Sequence, residues 1–281
     1  MINYTIIIPH KNIPILLARC LNSIPQRADV QVIVADDNSD EQNIMQLKSM
    51  LSSYPGVEFI FGKNENGRTG AGYARNLAME KANGKWLVFI DADDYFTPEF
   101  AAAMDKYKDK SFDIVYFRVT AINEKTGKRS KRAETPNYLV ECGKNGDIDK
   151  LKFERVNVYG KFVSLQLVRE NNILFQECKV ANDVWFSLIS AFYAQKINIS
   201  DYEIYCITER TGSLEFSPSF KRKKLYFNTD IEIYNKLKTY HLEHHLEGHI
   251  CYWWKQMKKK NPLCAMFYYR KMVKLIGKKN K

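Results

Sequence analysis

A mostly parallel α/β sheet layered between helices, followed by a basic helical extension, is the fold this chain predicts. Three observations predict it. Apolar runs of strand length alternate with helix-patterned segments through the first 119 residues, loops rich in Asp, Asn and Gly follow the strands, and the charge balance changes sharply near residue 216. Repeated βα units of this length pair as parallel strands with helices on both faces. Ligands of such sheets bind outside the carboxyl ends of the strands.

Thr5–Ile8 reads as the first strand and Pro14–Ile24 as a helix that buries Ile15, Leu16, Leu17 and Leu21. Strands at Val30–Ala35 and Val57–Phe61 enclose a helix at Glu41–Leu51, and Ala71–Ala82 is the next helix. Trp86–Ile90 is continuously apolar, as a buried central strand is. Thr97, Pro98 and Glu99 supply an N-cap, a first-turn proline and an early acid for the following helix, and Phe112–Val119 is a fifth strand. Val184 to Gln195 is the longest apolar stretch, shorter than the ~20 residues a membrane span needs, so it reads as a buried helix.

At 281 residues the chain has room for one large α/β domain with an extension, or for two small domains. The net charge of +11 is unevenly placed: residues 1–217 carry 27 Lys/Arg against 28 Asp/Glu, whereas the last 64 carry 16 against 4. The cysteines at 20, 142, 178, 206, 251 and 264 form no C-x-x-C pair, and Met1-Ile2-Asn3 leads straight into the first strand without a basic leader. Reduced thiols in a cytoplasmic protein, soluble or peripheral to a membrane, are therefore expected.

Four loops should gather along one sheet edge: Pro9-His10-Lys11-Asn12, Asp36 to Asp40, the glycine-rich Asn64 to Gly72, and Asp91-Ala92-Asp93-Asp94. Two carboxylates one residue apart at a strand's end can share a divalent cation, with hard oxygens suiting Mg²⁺ or Mn²⁺. Such an ion, keeping open positions for phosphate oxygens, would neutralise a diphosphate leaving group. A solvated acidic turn is the plain alternative for each loop. It weakens because acids recur after two separate strands, and crowded like charges need a cation or a donor-rich ligand.

Ile6-Ile7-Ile8-Pro9 with Asn12, then Val34-Ala35-Asp36-Asp37-Asn38-Ser39-Asp40, then Gly72-Tyr73-Ala74-Arg75-Asn76 leading through Gly84 to Phe89-Ile90-Asp91-Ala92-Asp93-Asp94, occur in that order. In letters, order and spacing this resembles the family 2 glycosyltransferases of bacterial surface-polysaccharide type, closely over about residues 3–100 and loosely to about 215. The resemblance implies the GT-A fold, a Rossmann-like three-layer α/β/α sandwich. It implies a domain over 1–215, with a nucleotide-sugar half to about 110 and an acceptor half beyond, before the extension at 216–281. It further implies an inverting, metal-assisted transfer from a UDP-sugar to a hydroxyl of a polysaccharide or lipid-linked oligosaccharide. By the same resemblance Asp37 accepts a hydrogen bond from the nucleotide base with Asp36 supporting the turn, and Pro9, Asn12, Arg75, Asn76 and Ala92 line the donor side. Asp93 is the principal ligand of Mn²⁺ or Mg²⁺, and Asp91 faces sugar, ribose or metal.

The family's base is the Asp of a Glu-Asp pair opening a late helix. Asp183 occupies that place, after Asn182 where the Glu usually stands, and a helix N-terminus would help keep it ionised. An ordinary first-turn acid is its bland reading, and Glu177 is the second choice for the base. Other departures are Lys11 where an aromatic usually stacks on the base, and a glycine-rich Gly67–Gly72 loop looser than the family norm. Arg68, Lys161 and Arg210 are candidates for phosphate, donor or acceptor contacts, or ordinary solvated cations.

From Phe216 onward, Lys221-Arg222-Lys223-Lys224, Lys258-Lys259-Lys260 and Lys278-Lys279-Asn280-Lys281 are interleaved with 12 aromatics. A helix from Pro262 would set Ala265, Tyr268, Tyr269, Met272 and Ile276 against Arg270, Lys271 and Lys274. Such helices suit an anionic membrane surface, here the inner face of the cell membrane, or pack on the domain and expose their lysines. Nucleic-acid binding is disfavoured because no recognised reading module accompanies the charge. His241, His245 and His249 would stack on one helical face, as zinc ligands do, with Glu243 and Glu247 simply solvating that helix as the alternative.

Three readings compete. A haloacid-dehalogenase-type phosphotransferase wants its Asp-x-Asp near the domain start, and a dinucleotide oxidoreductase wants G-x-G-x-x-G after the first strand; this chain has neither. A non-catalytic membrane- or glycan-binding module would leave no base opposite the metal.

Overall fold

The computed structural model describes residues 1–62, 68–210 and 219–277. Asn64 to Gly67 of the glycine-rich loop, Thr211-Gly212-Ser213, Phe216 and the closing Lys278–Lys281 run lie outside the described residues. The chain divides into two compact units, Met1–Arg210 and Thr211–Lys281.

The first unit runs β1 (Tyr4–His10), α1 (Pro14–Asn22), β2 (Val30–Asp36), α2 (Glu41–Met50), β3 (Val57–Phe61), α3 (Ala71–Glu80) and β4 (Trp86–Phe89). It continues β5 (Tyr95–Phe96), α4 (Glu99–Tyr107), β6 (Ile114–Asn123), α5 (Glu134–Lys144), α6 (Ile148–Glu154), β7 (Lys161–Ser164), α7 (Leu165–Glu170), α8 (Asn182–Tyr193) and β8 (Ile197–Glu209). The sheet order is β3-β2-β1-β4-β7-β6-β8-β5. The β3-β2-β1-β4 block is parallel, as is β6 with β8, while β7 lies antiparallel between β4 and β6.

Side-chain alternation divides each central strand between two layers. Tyr4, Ile6 and Ile8 share one core cluster with Leu17 and Leu21 of α1, Leu47 of α2, and Phe100 and Met104 of α4. On the opposite face α3 packs on β1 and β2, and Phe89 meets Phe175 and Phe186 at ring separations of 5.1 and 5.3 Å. Two local expectations need correction. The buried stripe of α1 runs through Pro14, Leu17, Cys20 and Leu21, leaving Ile15 81 % exposed. Thr97 does not cap α4: its hydroxyl donates to the Glu203 carbonyl, because pairing of β5 with β8 draws the segment sideways, and Pro98 takes the cap position.

Gly84 shows how closely the β4 approach sits on β1. Its amide donates to Thr5 Oγ1 at 2.8 Å, and a Cβ there would lie 2.5 Å from the Thr5 nitrogen. Backbone cannot yield as a flexible side chain does, so Gly84→Ala should destabilise the fold by about 2 kcal/mol or more. The urea midpoint should drop at unchanged m value; an unaltered midpoint would refute this close approach.

The second unit contains α9 (Phe220–Leu237), α10 (Glu247–Lys260) and α11 (Pro262–Ile276). Phe227, Tyr234, Leu237, Ile250 and Met257 are buried, Tyr226 stacks on Trp253 at 4.3 Å, and Trp254 Nε1 donates to the Ala265 carbonyl at 3.0 Å. On α11, Ala265, Met272 and Ile276 face inward as expected, whereas Tyr269 is exposed beside Trp254. The three histidines do not share a helix. His241 turns left-handed at φ 56°, a 3₁₀ turn follows at Glu243–Leu246, and α10 starts only at Glu247. Among the described residues no cluster of three His, Cys, Asp or Glu could hold a metal, and no helix is long and apolar enough to cross a membrane.

Candidate active site

The carboxyl ends of β1, β2 and β4, together with the amino ends of α3 and α8, bring the predicted loops to one edge. At the β2 end Asp36 is buried and wholly engaged. It accepts from His10 Nδ1 at 2.9 Å, the Ser39 amide at 2.8 Å and Ser39 Oγ at 2.5 Å. His10 Nε2 accepts the Ile13 amide at 3.1 Å, so Nδ1 carries the proton. Burial opposes ionisation of Asp36, but the His10 and Ser39 bonds outweigh it and bring its pKa below the usual carboxylate range. Asn12, left-handed at φ 56°, links the β1 and β2 loops through Ser39 Oγ and the Asp40 amide. Pro9, within β1, is buried beside them. Asp36 and Asn12 thus shape the turn that presents Asp37.

Asp37 ties three loops together: Oδ1 accepts the Gly70 amide at 2.8 Å and Oδ2 lies 3.2 Å from Lys11 Nζ. Gly70 has φ +93°, and a Cβ there would meet the Cys178 carbonyl oxygen at 2.2 Å; one on Gly72 would meet that of Gln176 at the same distance. The expected looseness of the glycine-rich loop therefore does not extend to these two residues. They let the segment before α8 close onto the start of α3. Arg68 staples the same contact, donating to both oxygens of Glu177 at 2.6 Å. Asn76 Nδ2 and Oδ1 bond the Phe175 carbonyl and amide at 3.0 and 2.8 Å, which makes Asn76 a clamp on this segment.

Arg75 is the hinge of the site. Its buried guanidinium donates to Asp91 Oδ1 and to Asn182 Oδ1, both at 2.6 Å, joining the β4 end to the first residue of α8. Asp183 follows at the helix start, after Ala181 in a left-handed cap. Burial pushes the Asp183 carboxyl above the usual carboxylate range, with Arg75 opposing and Asp91 adding to the rise. Desolvation therefore outweighs the helix terminus invoked from sequence. Glu177 is held low by Arg68, so it is the weaker proton acceptor.

Asp91 and Asp93 face the cleft while Ala92 between them is buried in the core. Asp91 keeps 39 % of its side chain open, yet enclosure by the protein raises its pKa against the pull of Arg75. Asp93 Oδ2 pairs with Arg210 Nε at 2.8 Å, and its carbonyl accepts Arg19 Nη2 at 2.5 Å. Buried Asp94 anchors the turn through Tyr205 Oη at 2.5 Å and the Thr208 amide at 2.7 Å. Sequence gave no signal for Arg19 or Tyr205, which sit in segments patterned for packing. Lys161 is not solvated: it is buried over the Tyr116 ring, donates to the Arg155 carbonyl at 2.7 Å, and has its pKa pulled well down by burial and Arg155.

The donor set at Asp91 and Asp93 suits a hard cation. Among the described residues the second carboxylate oxygen of each makes no hydrogen bond, and such oxygens are the donor class that Mg²⁺ or Mn²⁺ takes.

A family model described as "Glycosyl transferase family 2" matches residues 5–167, more than half of the chain. The chain is a family 2 glycosyltransferase. It is 27 % identical over 248 residues to a poly(ribitol-phosphate) beta-glucosyltransferase of Bacillus spizizenii, covering 85 % of this chain and 37 % of the relative. It is 25 % identical over 226 residues to the Staphylococcus aureus poly(ribitol-phosphate) beta-N-acetylglucosaminyltransferase TarS, covering 75 % and 36 %. This family 2 chain thus spans little more than a third of those relatives. The solved structure of TarS 1–349 with UDP-GlcNAc superposes with TM-score 0.57 at 21 % identity, covering 92 % of this chain and 73 % of that one. A mannosyltransferase from Pyrobaculum calidifontis, solved with GDP-Man and Mn²⁺, gives 0.56 at 13 % identity, covering 99 % and 76 %. The fold of this glycosyltransferase is accordingly GT-A.

Proposed function

We propose that this chain transfers a sugar, with inversion, from a UDP-sugar to a hydroxyl of a surface polysaccharide or lipid-linked oligosaccharide. One observation carries the reading. Arg75 bonds both Asp91 and Asn182, the residue before Asp183, which supports a diphosphate-side carboxylate and a base working in one cleft. Asp183 takes the proton of the acceptor hydroxyl, whose oxygen bonds to the anomeric carbon as the bond to the diphosphate oxygen breaks on the opposite face. Burial raises its pKa, which makes its carboxylate a better proton acceptor than that of an ordinary aspartate. Asp37 accepts an N–H of the nucleotide base in place of exposed Lys11. Arg75 and Arg210, now balanced by Asp91 and Asp93, lie where charge grows on the leaving diphosphate. Mn²⁺ or Mg²⁺ held by Asp93 and Asp91 would supply further neutralisation of that charge.

The transferase domain in this reading spans residues 1–215 and works in the cytoplasm, where nucleotide sugars are made. The extension meets the inner face of the membrane. Leu263 and Phe267 on α11 are 82 % and 70 % exposed, with Met266 between them and Lys258-Lys259-Lys260 just before.

A thermal-shift screen of nucleotide sugars with and without Mn²⁺ tests the reading. A specific UDP-sugar should raise Tm in proportion to the logarithm of its concentration, and more so with Mn²⁺. No shift with any UDP- or GDP-sugar would sink it.

A further inference from the structure

The segment beyond β6 carries no motif, yet it is built against the cleft. β6 and β8 end together, Asn123 opposite Glu209, and the next residue after Glu209 is the Arg210 that holds Asp93. Past Asn123 the chain folds into a tight turn. The Gly127 amide donates to the Asn123 carbonyl at 2.8 Å, the Asn123 amide to the Lys128 carbonyl at 2.8 Å, and Gly127 takes φ +66°. Asn123 Oδ1 adds a bond from the Thr126 amide at 3.1 Å, and Ile122 bridges Arg129 on the return. Two struts fix this turn beside Asp93. Arg19 reaches both the Glu124 carboxylate, at 3.1 Å, and the Asp93 carbonyl, at 2.5 Å, while the Ser130 hydroxyl bonds Glu209.

Lys125, Lys128, Arg129 and Lys131 project from this turn, all exposed, and none forms an ion pair among the described residues. Residues 1–210 carry 27 Lys/Arg and 27 Asp/Glu, so four unbalanced cations within seven residues are a local concentration. Beneath the return arm lies a cavity of about 280 Å³ lined by Arg129, Ser130, Lys131 and Asn137, and also by Glu134 and Glu203.

We propose that the Lys125–Lys131 turn is a binding surface for a polyanionic acceptor, a chain of repeating phosphodiester groups laid beside the Asp93 side of the cleft. The inference rests on the reading of the site as a sugar-transfer centre. A donor diphosphate is a single compact anion and belongs at Asp91 and Asp93. Four exposed cations spread over a hydrogen-bonded turn match charges that repeat along a polymer. Each exposed contact is weak, and several acting together give a binding energy that salt screens.

The test uses the full chain and a variant in which Lys125, Lys128, Arg129 and Lys131 are all changed to Gln. A fluorescent poly(glycerol phosphate) chain, neutral dextran and anionic lipid vesicles are the probes, and UDP-sugar binding with Mn²⁺ is measured in parallel. The wild type should bind the phosphodiester polymer, lose affinity steeply with added salt, and ignore dextran. The variant should bind the polymer about tenfold or more weakly with UDP-sugar affinity unchanged. Equal polymer binding by both proteins overturns the inference, as does equal affinity for dextran, or vesicle binding that depends on the turn while polymer binding does not. Loss of UDP-sugar binding in the wild type would instead remove the transfer reading. Should the quadruple variant also lose nucleotide binding, the Lys125→Glu, Lys128→Glu pair at the turn tip decides by the same outcomes.

Discussion

Asp183→Asn should lower kcat by about 10²- to 10⁴-fold while leaving UDP-sugar affinity nearly unchanged. The amide keeps the size of the carboxylate at the second position of α8, and the Arg75 bonds run to Asn182 and Asp91, so the site should stay assembled. What disappears is the only function assigned to Asp183, acceptance of a proton. The pH dependence follows from the same residue. A base must be deprotonated, and burial places the Asp183 pKa above the ordinary aspartate value of about 3.9. Wild-type kcat/KM should therefore fall as pH drops through that raised value, and the variant's residual activity should lack this acid limb. Single-turnover transfer to a saccharide acceptor measures both. Normal turnover in Asp183→Asn would leave the base unassigned, with Glu177 a poor substitute because Arg68 stabilises its ionised form.

Asp93→Ala should abolish the metal-dependent part of donor binding, about 10²-fold in affinity at saturating Mn²⁺. The Ala variant removes one of two carboxylates and also unbalances Arg210, which pairs with Asp93 Oδ2 at 2.8 Å. That guanidinium, freed, would offset part of the loss by attracting the diphosphate directly. The diagnostic quantity is therefore the difference between UDP affinities with and without Mn²⁺, measured by calorimetry. It should be large in the wild type and vanish in the variant. A variant that still binds UDP more tightly with Mn²⁺ would put the ion elsewhere. The partly exposed Asp93–Arg210 pair contributes about 1 kcal/mol or less to stability, so Tm should change little.

The parallel core was legible because the apolar run Ile6-Ile7-Ile8 of β1, buried along its whole length, and the continuous apolarity of β4 are local properties. Spacing and family likeness proposed Asp37, Asp91, Asp93 and Asp183 as a set, and the edge rule for α/β sheets expected them at one end. The bonds that connect them were not legible. Asn12, Asp36 and Asn76, expected on the donor side, also make the turn and clamp around Asp37 and Phe175. Nothing in the spelling of the chain distinguishes a polar group that meets a ligand from one that meets backbone 99 residues away. The histidine spacing misled for a related reason: helical periodicity holds only while the backbone stays helical, and His241 leaves it.

Sequence by itself determined the strand and helix types, the edge on which chemistry collects, and the uneven charge of the two ends. Those depend on residue patterns within one or two turns of chain. Only the tertiary structure decided that Arg75 spans the gap from Asp91 to α8, that Arg210 sits on Asp93, and that a turn bearing four exposed cations stands beside them. Such contacts arise when the sheet orders its strands, and strand order is a property of the whole core rather than of any segment.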